Sequence, residues 1–479
     1  MGIENILTAI NEGKSDPVFA KLYGPEQAVL SYQKTRYIEA VEAFYSAFRI
    51  EKNSAGEFDK GSVCEPEMIP AAETAVFLFS APGRTEIGGN HTDHQHGRVL
   101  AAAVDLDAIA VASLNNLQQI RILSKGYPLI AVDLSDLSPK AEEQGTTSAL
   151  VRGVAAQFQK LGTDVLGFDA YVTSDVLTGS GLSSSAAFEV LIGTIIDHLS
   201  NEGKAGAVNI AKFGKIAENL YFGKASGLMD QMVSSVGGFV KIDFADPESP
   251  VIEKIDRSLD EAGIALIVTD TKGSHADLSG EYTAIPEEMK AVASFFGKSV
   301  LREVDEQEFY RRISELRTQA GDSDRQTGTD MTRDAGRQED SDKTRDTGRL
   351  SDRAILRSAH FFDEDRRAAQ EAEALEEKDF RRFFDLVNAS GESSATLLQN
   401  LYCSDAPQTQ GIPLALLLSR RVLAGEGACR VHGGGFAGTI QAFVPKEKVS
   451  EYIDALESVF GKGACHILRI RPEGGIRIL

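Results

Sequence analysis

Three consecutive serines behind a glycine turn carry the clearest chemical signal in the chain: Gly179-Ser180-Gly181-Leu182-Ser183-Ser184-Ser185-Ala186-Ala187. The run Phe168 to Val176 before them alternates like a strand, and Ala187, Val190, Leu191, Thr194 and Ile195 recur after them at helical spacing. The serines are therefore expected at a helix start. Unpaired backbone N–H groups and the positive end of the helix dipole favour a phosphate there, glycine lets the backbone approach closely, and serine hydroxyls can bind oxygens or Mg2+. Taken alone, the same residues also fit a Ser/Gly linker or an ordinary N-cap.

Two more polar segments narrow the choice. The first, Ala81-Pro82-Gly83-Arg84-Thr85-Glu86-Ile87-Gly88-Gly89-Asn90-His91-Thr92-Asp93-His94-Gln95-His96-Gly97, reads as a loop between the strand-like Ala75 to Ser80 and the apolar run Val99 to Ala112. Arg84 offers a planar fork for a phosphate or carboxylate, and Asn90, His91, Asp93 and His94 offer donors and acceptors of the kind that line a sugar. His91, His94 and His96 with Asp93 could suggest a metal site, but the helix-face spacing of a zinc motif is missing. The second segment, Arg430-Val431-His432-Gly433-Gly434-Gly435-Phe436-Ala437-Gly438, lies between strand-like runs. A lipase reading of its glycines fails for want of a Gly-x-Ser-x-Gly elbow. A P-loop reading also fails, because Gly13-Lys14-Ser15 and Gly297-Lys298-Ser299 have Thr8 and Val292 where the first glycine should stand.

Together the three segments resemble the GHMP small-molecule kinases, and the Gly-Arg-x-x-x-x-Gly-x-His-Thr-Asp pattern from Gly83 to Asp93 is similar to the galactokinase branch. Ala225-Ser226-Gly227-Leu228-Met229-Asp230-Gln231-Met232 resembles the stretch that carries the catalytic aspartate of galactokinases, and the likeness runs from about Phe77 to Pro445. It implies an α+β, two-domain GHMP kinase fold with the active site in the interdomain cleft. It also implies an ATP-dependent sugar 1-kinase, with D-galactose phosphorylated at its C1 hydroxyl. The alternatives are a galacturonate or other C6-altered galactose kinase, and a non-catalytic sugar and ATP sensor. On the family pattern Asp230 is the base or orienting acceptor, and Arg84 stabilises the transferred charge. Gly179, Ser180, Gly181, Leu182, Ser183, Ser184 and Ser185 would hold the ATP phosphates, with Ser184 or Ser185 near Mg2+ and Glu189 as a further metal ligand. The sugar would meet Arg84, Asn90, His91, Asp93, Gly227, Asp230 and Tyr282. The chain departs from galactokinases at Asn90, where they usually carry glutamate facing C6, and at His94, where they usually carry tyrosine. It also has Leu177-Thr178 in place of the usual proline, and Phe436-Ala437-Gly438 where Phe-Gly-Gly is common.

The elements that must position these residues follow from periodicity. Residues 1 to 70 read as helices, one of them including Tyr37, Val41, Phe44, Tyr45 and Phe48. Strand-like and helix-like runs alternate from Ala75 to Phe244, and a second block opens at the buried-strand run Ala265-Leu266-Ile267-Val268. The expected division is 1–255 and 256–479. Gly321 to Arg353, with Thr332-Arg333-Asp334-Ala335-Gly336-Arg337 echoed by Thr344-Arg345-Asp346-Thr347-Gly348-Arg349, has almost no apolar residues and is expected to form a disordered insertion.

Composition limits the partners. A 479-residue chain with 42% hydrophobic residues exceeds one ordinary domain, and a formal charge of −21 argues against nucleic acid or an anionic membrane surface. Small molecules, the sugar and ATP, are the expected partners, and a monomer is favoured. Four scattered cysteines, no basic-then-apolar leader and no apolar run of membrane length point to the cytoplasm.

Overall fold

Strand alternation divides the core of this protein between two helical layers. In the computed structural model, which describes residues 2–48, 75–177, 181–224, 226–273, 278–321 and 350–479, Val76 and Leu78 of β1 (Val76–Gly88) face one way with Ile109 and Val111 of β2 (Arg98–Leu114). Phe79, Ala110 and Ala112 face the other. The first face is covered by α1 (Ile3–Asn11), α2 (Asp16–Tyr23) and α3 (Gln27–Phe48) through Ile6, Phe19, Tyr37, Val41 and Phe44. The second is covered by α4 (Thr147–Lys160) and α5 (Ser184–Ser200), whose Val190, Leu191 and Ile195 are fully buried.

The eight-stranded sheet runs β12-β1-β2-β5-β3-β4, with β3 (Gln119–Ser124), β4 (Ile130–Asp133), β5 (Phe168–Ser174) and β12 (Ile476–Arg477); β6 (Phe239–Asp243) pairs with the start of β2, and β7 (Val251–Ile255) with β6. β2 is apolar on both faces because it is sandwiched, as its near-continuous buried run requires. Between β5 and β7 lie α6 (Gly206–Ile216) and α7 (Met229–Val236). A second, antiparallel sheet of β8 (Ile264–Asp270), β9 (Ala428–Val431), β10 (Thr439–Pro445) and β11 (Cys465–Leu468) has the order β11-β8-β10-β9. Its helices are α8 (Ser279–Phe295), α9 (Glu306–Arg311), α10 (Ile313–Gly321), α11 (Asp352–Glu376), α12 (Phe380–Ser393), α13 (Gly411–Leu423) and α14 (Val449–Phe460). The chain end returns to the first sheet, where Phe79 pairs with Arg477 and Ser80 with Ile476.

Two expectations change. The segment read as a loop from Ala81 is strand as far as Gly88, with register shifts at Pro82/Arg84 and Glu86/Gly88. Proline and the glycines are accommodated at these bulges, which re-aim the side chains between them. Of the expected insertion, residues 322–349 lie outside the described residues, but Gly321 ends α10, Leu350 is buried, and Ser351 caps α11 by accepting from Ala354 N–H at 3.1 Å. Gly179 and Ser180 also lie outside the described residues.

Candidate active site

Arg84 is where the first polar segment meets the serine loop and the Asp230 segment. Its Nε and Nη2 donate to the two carboxylate oxygens of Asp230 at 2.7 and 2.6 Å, a bidentate pair, while Nη1 bonds the Gly181 carbonyl and the backbone N–H donates to Leu182 O at 2.9 Å. Ser183 Oγ donates to Asp230 Oδ2 at 2.6 Å. Asp230 stands in the first turn of α7, where the helix dipole favours an anion. Burial alone would raise its carboxyl, but the charge and hydrogen bonds of Arg84 and the Ser183 hydroxyl bring it below the ordinary carboxylate range. Asp230 is thus ionised and oriented, and its side chain stays 30% exposed, open to a ligand.

The serine loop runs into α5 as expected, with Ser184 its first residue and Ser183 at φ 58° just before it. Leu182 is buried, Gly181 is exposed, and Ser183, Ser184 and Ser185 are half-buried. Ser185 Oγ donates to Glu218 Oε1 at 3.3 Å, and Gln231 Nε2 bridges Glu218 Oε2 and Glu189 Oε2 at 3.0 and 2.9 Å. Glu189, expected as a metal ligand, lies fully buried behind Gln231. Desolvation and the neighbouring Glu218 raise its carboxyl well above the usual range, which disfavours the charged form a metal would need. Glu218, which sequence reasoning missed, is the carboxylate beside Ser185. Among the described residues no cluster of three or more His, Cys, Asp or Glu has a metal-holding arrangement.

Around the expected sugar residues, three consecutive carbonyls of the Gly433–Gly435 turn are taken in order. Asn90 Nδ2 donates to Gly433 O at 2.8 Å, His91 Nε2 to Gly434 O at 3.0 Å, and Tyr282 OH to Gly435 O at 2.9 Å. Asp93 lies against Gly227, where a Cβ would come within 2.9 Å of Asp93 Oδ2, so glycine is what permits the approach. Burial raises the Asp93 carboxyl, His91 opposes that, and Asp230 adds to it. Asn90 departs from its expected role. It is 1% exposed, donates also to Glu86 Oε1 at 2.8 Å, and accepts from Asn400 Nδ2 at 2.9 Å, so its amide is saturated by protein groups.

Beneath this loop is a buried polar network that the sequence did not disclose. Arg430 Nη2 donates to Glu86 Oε1 at 3.1 Å and Nη1 to Ile87 O at 2.7 Å. Glu364 Oε1 receives Gly89 N–H at 3.1 Å, and its other oxygen receives Arg367. His360 Nε2 donates to Asn90 O at 2.9 Å, while Nδ1 lies 2.8 Å from Ser393 Oγ, a hydroxyl that can donate to the neutral ring. Burial lowers His360 to about 4, and Glu364, despite the opposing cost of burial, is held at about 2 by His360, Arg367 and Arg430. Arg357, His360, Glu364 and Glu371 lie three, four and seven residues apart on one face of α11, and that spacing is the signal that could have revealed them.

An ion-paired aspartate at a helix start is thus flanked by a serine loop and a polar loop. The chain matches the galactokinase galactose-binding signature over residues 70–114 and the GHMP kinases N-terminal domain over residues 149–238. Its fold is similar to that of Lactococcus lactis galactokinase, solved with galactose, at TM-score 0.63 and 21% identity over 84% of this chain and 95% of that one. It is also similar to Methanococcus jannaschii mevalonate kinase, at TM-score 0.54 and 14% identity over 83% and 98%. A D-glycero-D-manno-heptose 1-phosphate kinase from Bacteroides thetaiotaomicron matches at TM-score 0.53 and 15% identity over 84% and 98%. At these identities the structural likeness speaks for the fold. The two signatures add local matches within that fold, to a galactose-binding segment and to the N-terminal domain of GHMP kinases. Among the described residues, no helix is long and apolar enough to cross a membrane.

Proposed function

We propose that the protein transfers the γ-phosphoryl group of ATP to the C1 hydroxyl of D-galactose. The observation that carries this reading is the Arg84–Asp230–Ser183 constellation at the joint N-termini of α5 and α7. Phosphoryl transfer needs charge neutralisation and in-line placement more than covalent help. Asp230 accepts the hydrogen bond of the sugar hydroxyl and aims its oxygen at the γ-phosphorus. As that P–O bond forms, the bond to the β-phosphate oxygen breaks, ADP leaves, and the hydroxyl proton passes to Asp230. Because the Asp230 carboxyl lies below its ordinary range, it is a weak base, so proton transfer comes late, when the hydroxyl has become acidic. Arg84 counters the charge on the transferring oxygens. The described serines, Ser183 to Ser185, lie where the N–H groups of α5 point toward an anion.

Mg2+ fits the residues present. Ser185 Oγ and Glu218 Oε1 offer two hard oxygen donors 3.3 Å apart at the helix start; the latter is also 2.7 Å from the half-exposed Lys224 Nζ, which a magnesium ion completed by ATP phosphates would displace. Bound there, it would offset phosphate charge. The saturated Asn90 amide rests on Glu86, whose charge Arg430 offsets, while Arg84 of the loop is taken by Asp230 and Arg98 by Asp243 and Asp365, so the loop brings no uncommitted cation to a uronate. A C6 carboxylate is disfavoured there, which supports galactose over galacturonate. The test is ATP consumption with galactose, galacturonate, glucose and N-acetylgalactosamine. A kcat/KM for galactose at least about tenfold above the others is expected. Preference for galacturonate overturns the sugar assignment, and ATP and sugar binding without turnover overturns the kinase reading in favour of a sensor.

A further inference from the structure

The entrance of the serine loop is held from the sheet face opposite α5. Where β5 ends, Asp175 N–H donates to Asp107 O at 2.9 Å. The same carbonyl accepts Arg36 Nη2 at 2.9 Å, and Arg36 Nη1 donates to Asp107 Oδ1 at 2.6 Å. Arg36 Nε lies 3.2 Å from Asp175 Oδ2, and Tyr32 OH, one turn earlier on α3, donates to that oxygen at 3.0 Å. Arg36 thus grips the carboxylate and carbonyl of β2 and the first residue beyond β5 at once. The exit is fixed by the catalytic pair itself, since Arg84 holds Leu182 O and Gly181 O. The entrance and exit segments both press on Gly83, where a Cβ would come 3.1 Å from Val176 Cγ1 and 2.9 Å from Leu182 O.

We infer that Arg36, Tyr32 and Asp175 form a positioning clamp that sets the mouth of the serine loop for nucleotide phosphates, which gives the N-terminal helices a part in nucleotide binding. The inference rests on the kinase reading above. With Asp175 and the Gly181 and Leu182 carbonyls already held, less conformational freedom remains to be lost on binding a phosphate, so the clamp acts on nucleotide affinity. The sugar loop has its own supports in α11, α12 and the Gly433–Gly435 turn, and does not depend on Asp175. Arg36 keeps Asp107 when Asp175 is changed, so the buried part of the cluster survives the substitution.

The experiment measures Mg-ADP binding by calorimetry, steady-state kinetics and thermal unfolding on the full chain carrying Asp175→Ala or Tyr32→Phe. Asp175→Ala is expected to raise the ADP Kd and the ATP KM about fivefold, with kcat at saturating ATP and the sugar KM within about twofold. Tyr32→Phe changes an exposed phenol and keeps the fold, and is expected to raise the ADP Kd about twofold. Unchanged ADP affinity in Tyr32→Phe together with either unchanged affinity or failure to fold in Asp175→Ala overturns the clamp. Equal weakening of sugar and nucleotide also overturns it, because that marks a merely structural role. A wild-type protein that binds no adenine nucleotide overturns the kinase reading, and the clamp with it.

Discussion

The sugar loop and the serine loop are built in opposite ways. Asn90, His91 and Glu86 of the sugar loop take their partners from residues 270 to 344 positions away, on α11, the Asn400 turn, β9 and the Gly433–Gly435 turn. The described serines are held by the first-sheet half of the chain, Ser183 by Asp230 and Ser185 by Glu218, 47 and 33 positions away. A phosphate is bound largely by backbone N–H groups, which any helix start of the right shape supplies. Discriminating one hydroxyl pattern from another needs side chains fixed in place, and the loop proposed to meet the sugar rests on a buried network assembled from both sheets. Activity toward any acceptor should therefore rest on the local pair, and choice of acceptor on the distant network.

The largest effect expected is at the local pair. Asp230→Asn keeps shape and removes the charge, and should lower kcat at least about a hundredfold, roughly 3 kcal/mol, with sugar affinity largely retained in calorimetry. Arg84→Ala should cost a similar amount, because it removes the charge beside Asp230 and also releases the Gly181 carbonyl. Turnover by Asp230→Asn within about tenfold of wild type would remove the aspartate from the mechanism and leave the comparison without its first half.

Next comes the network. Asn90→Glu restores the residue galactokinases usually carry, and from sequence alone it should be tolerated by a galactose enzyme. The structure reverses that expectation. A glutamate at 90 places a second carboxylate against Glu86 and loses the donation to Gly433 O, so a destabilisation of about 3 kcal/mol in urea unfolding is expected. Adding Glu86→Gln returns one amide and one carboxylate to the site with their places exchanged, and should recover about half of that loss. Additive losses in this double-substitution cycle would show that the two residues are not coupled.

What the sequence revealed divides along the same line. The serine helix start, Arg84, Asp230 and the glycine turn are legible because each lies within one short segment whose chemistry is local. The saturation of Asn90 is not, since its partners Gly433 and Asn400 are joined to it only by the fold. Glu218, Glu364 and His360 escape notice because a charged residue on a helix looks the same whether it faces water or a buried loop. Only the run of polar residues along one side of α11 distinguishes Glu364 and His360. Strand alternation located β1, β2 and β5, while the extension of β1 through a proline and two bulges went unread, because loop chemistry and bulged strand use the same residues.

The pH dependence of stability sharpens the network further. His360 titrates near 4 in the folded protein against an ordinary value of 6.5, so below 6.5 the unfolded chain takes up a proton that the native one refuses. Stability should fall as pH drops from about 6.5 toward 4, by about 2 kcal/mol between pH 7 and pH 5 from this residue alone. Glu364 acts lower, with stability lost as pH falls from its ordinary 4.5 through about 2. Glu371 has the opposite sign, because its carboxyl is raised by burial and by Glu364, and favours folding at the acid end. His360→Gln should flatten the slope between pH 7 and pH 5. An unchanged slope would place the titration elsewhere.

The smallest effect concerns the approach to α11, the helix that carries His360 and Glu364 to the sugar loop. Replacing residues 322–349 by a short Gly/Ser linker should leave galactose kcat/KM within about twofold, because loop closure depends weakly on length and the composition there offers little to bury. Extending the replacement through Arg353 is a different experiment. It removes buried Leu350, the Ser351 cap, and the ion pair in which Arg353 Nε donates to Glu288 Oε1 at 2.9 Å. The cap alone should cost about 1 kcal/mol. Because the start of α11 positions the network, that loss should appear first as a raised sugar KM with the ATP KM unchanged. If the shorter replacement already raises the sugar KM while sparing that for ATP, the network that selects the sugar extends into residues 322–349. Equal changes in both constants would instead show that the two loops share one support, and the contrast between them would not stand.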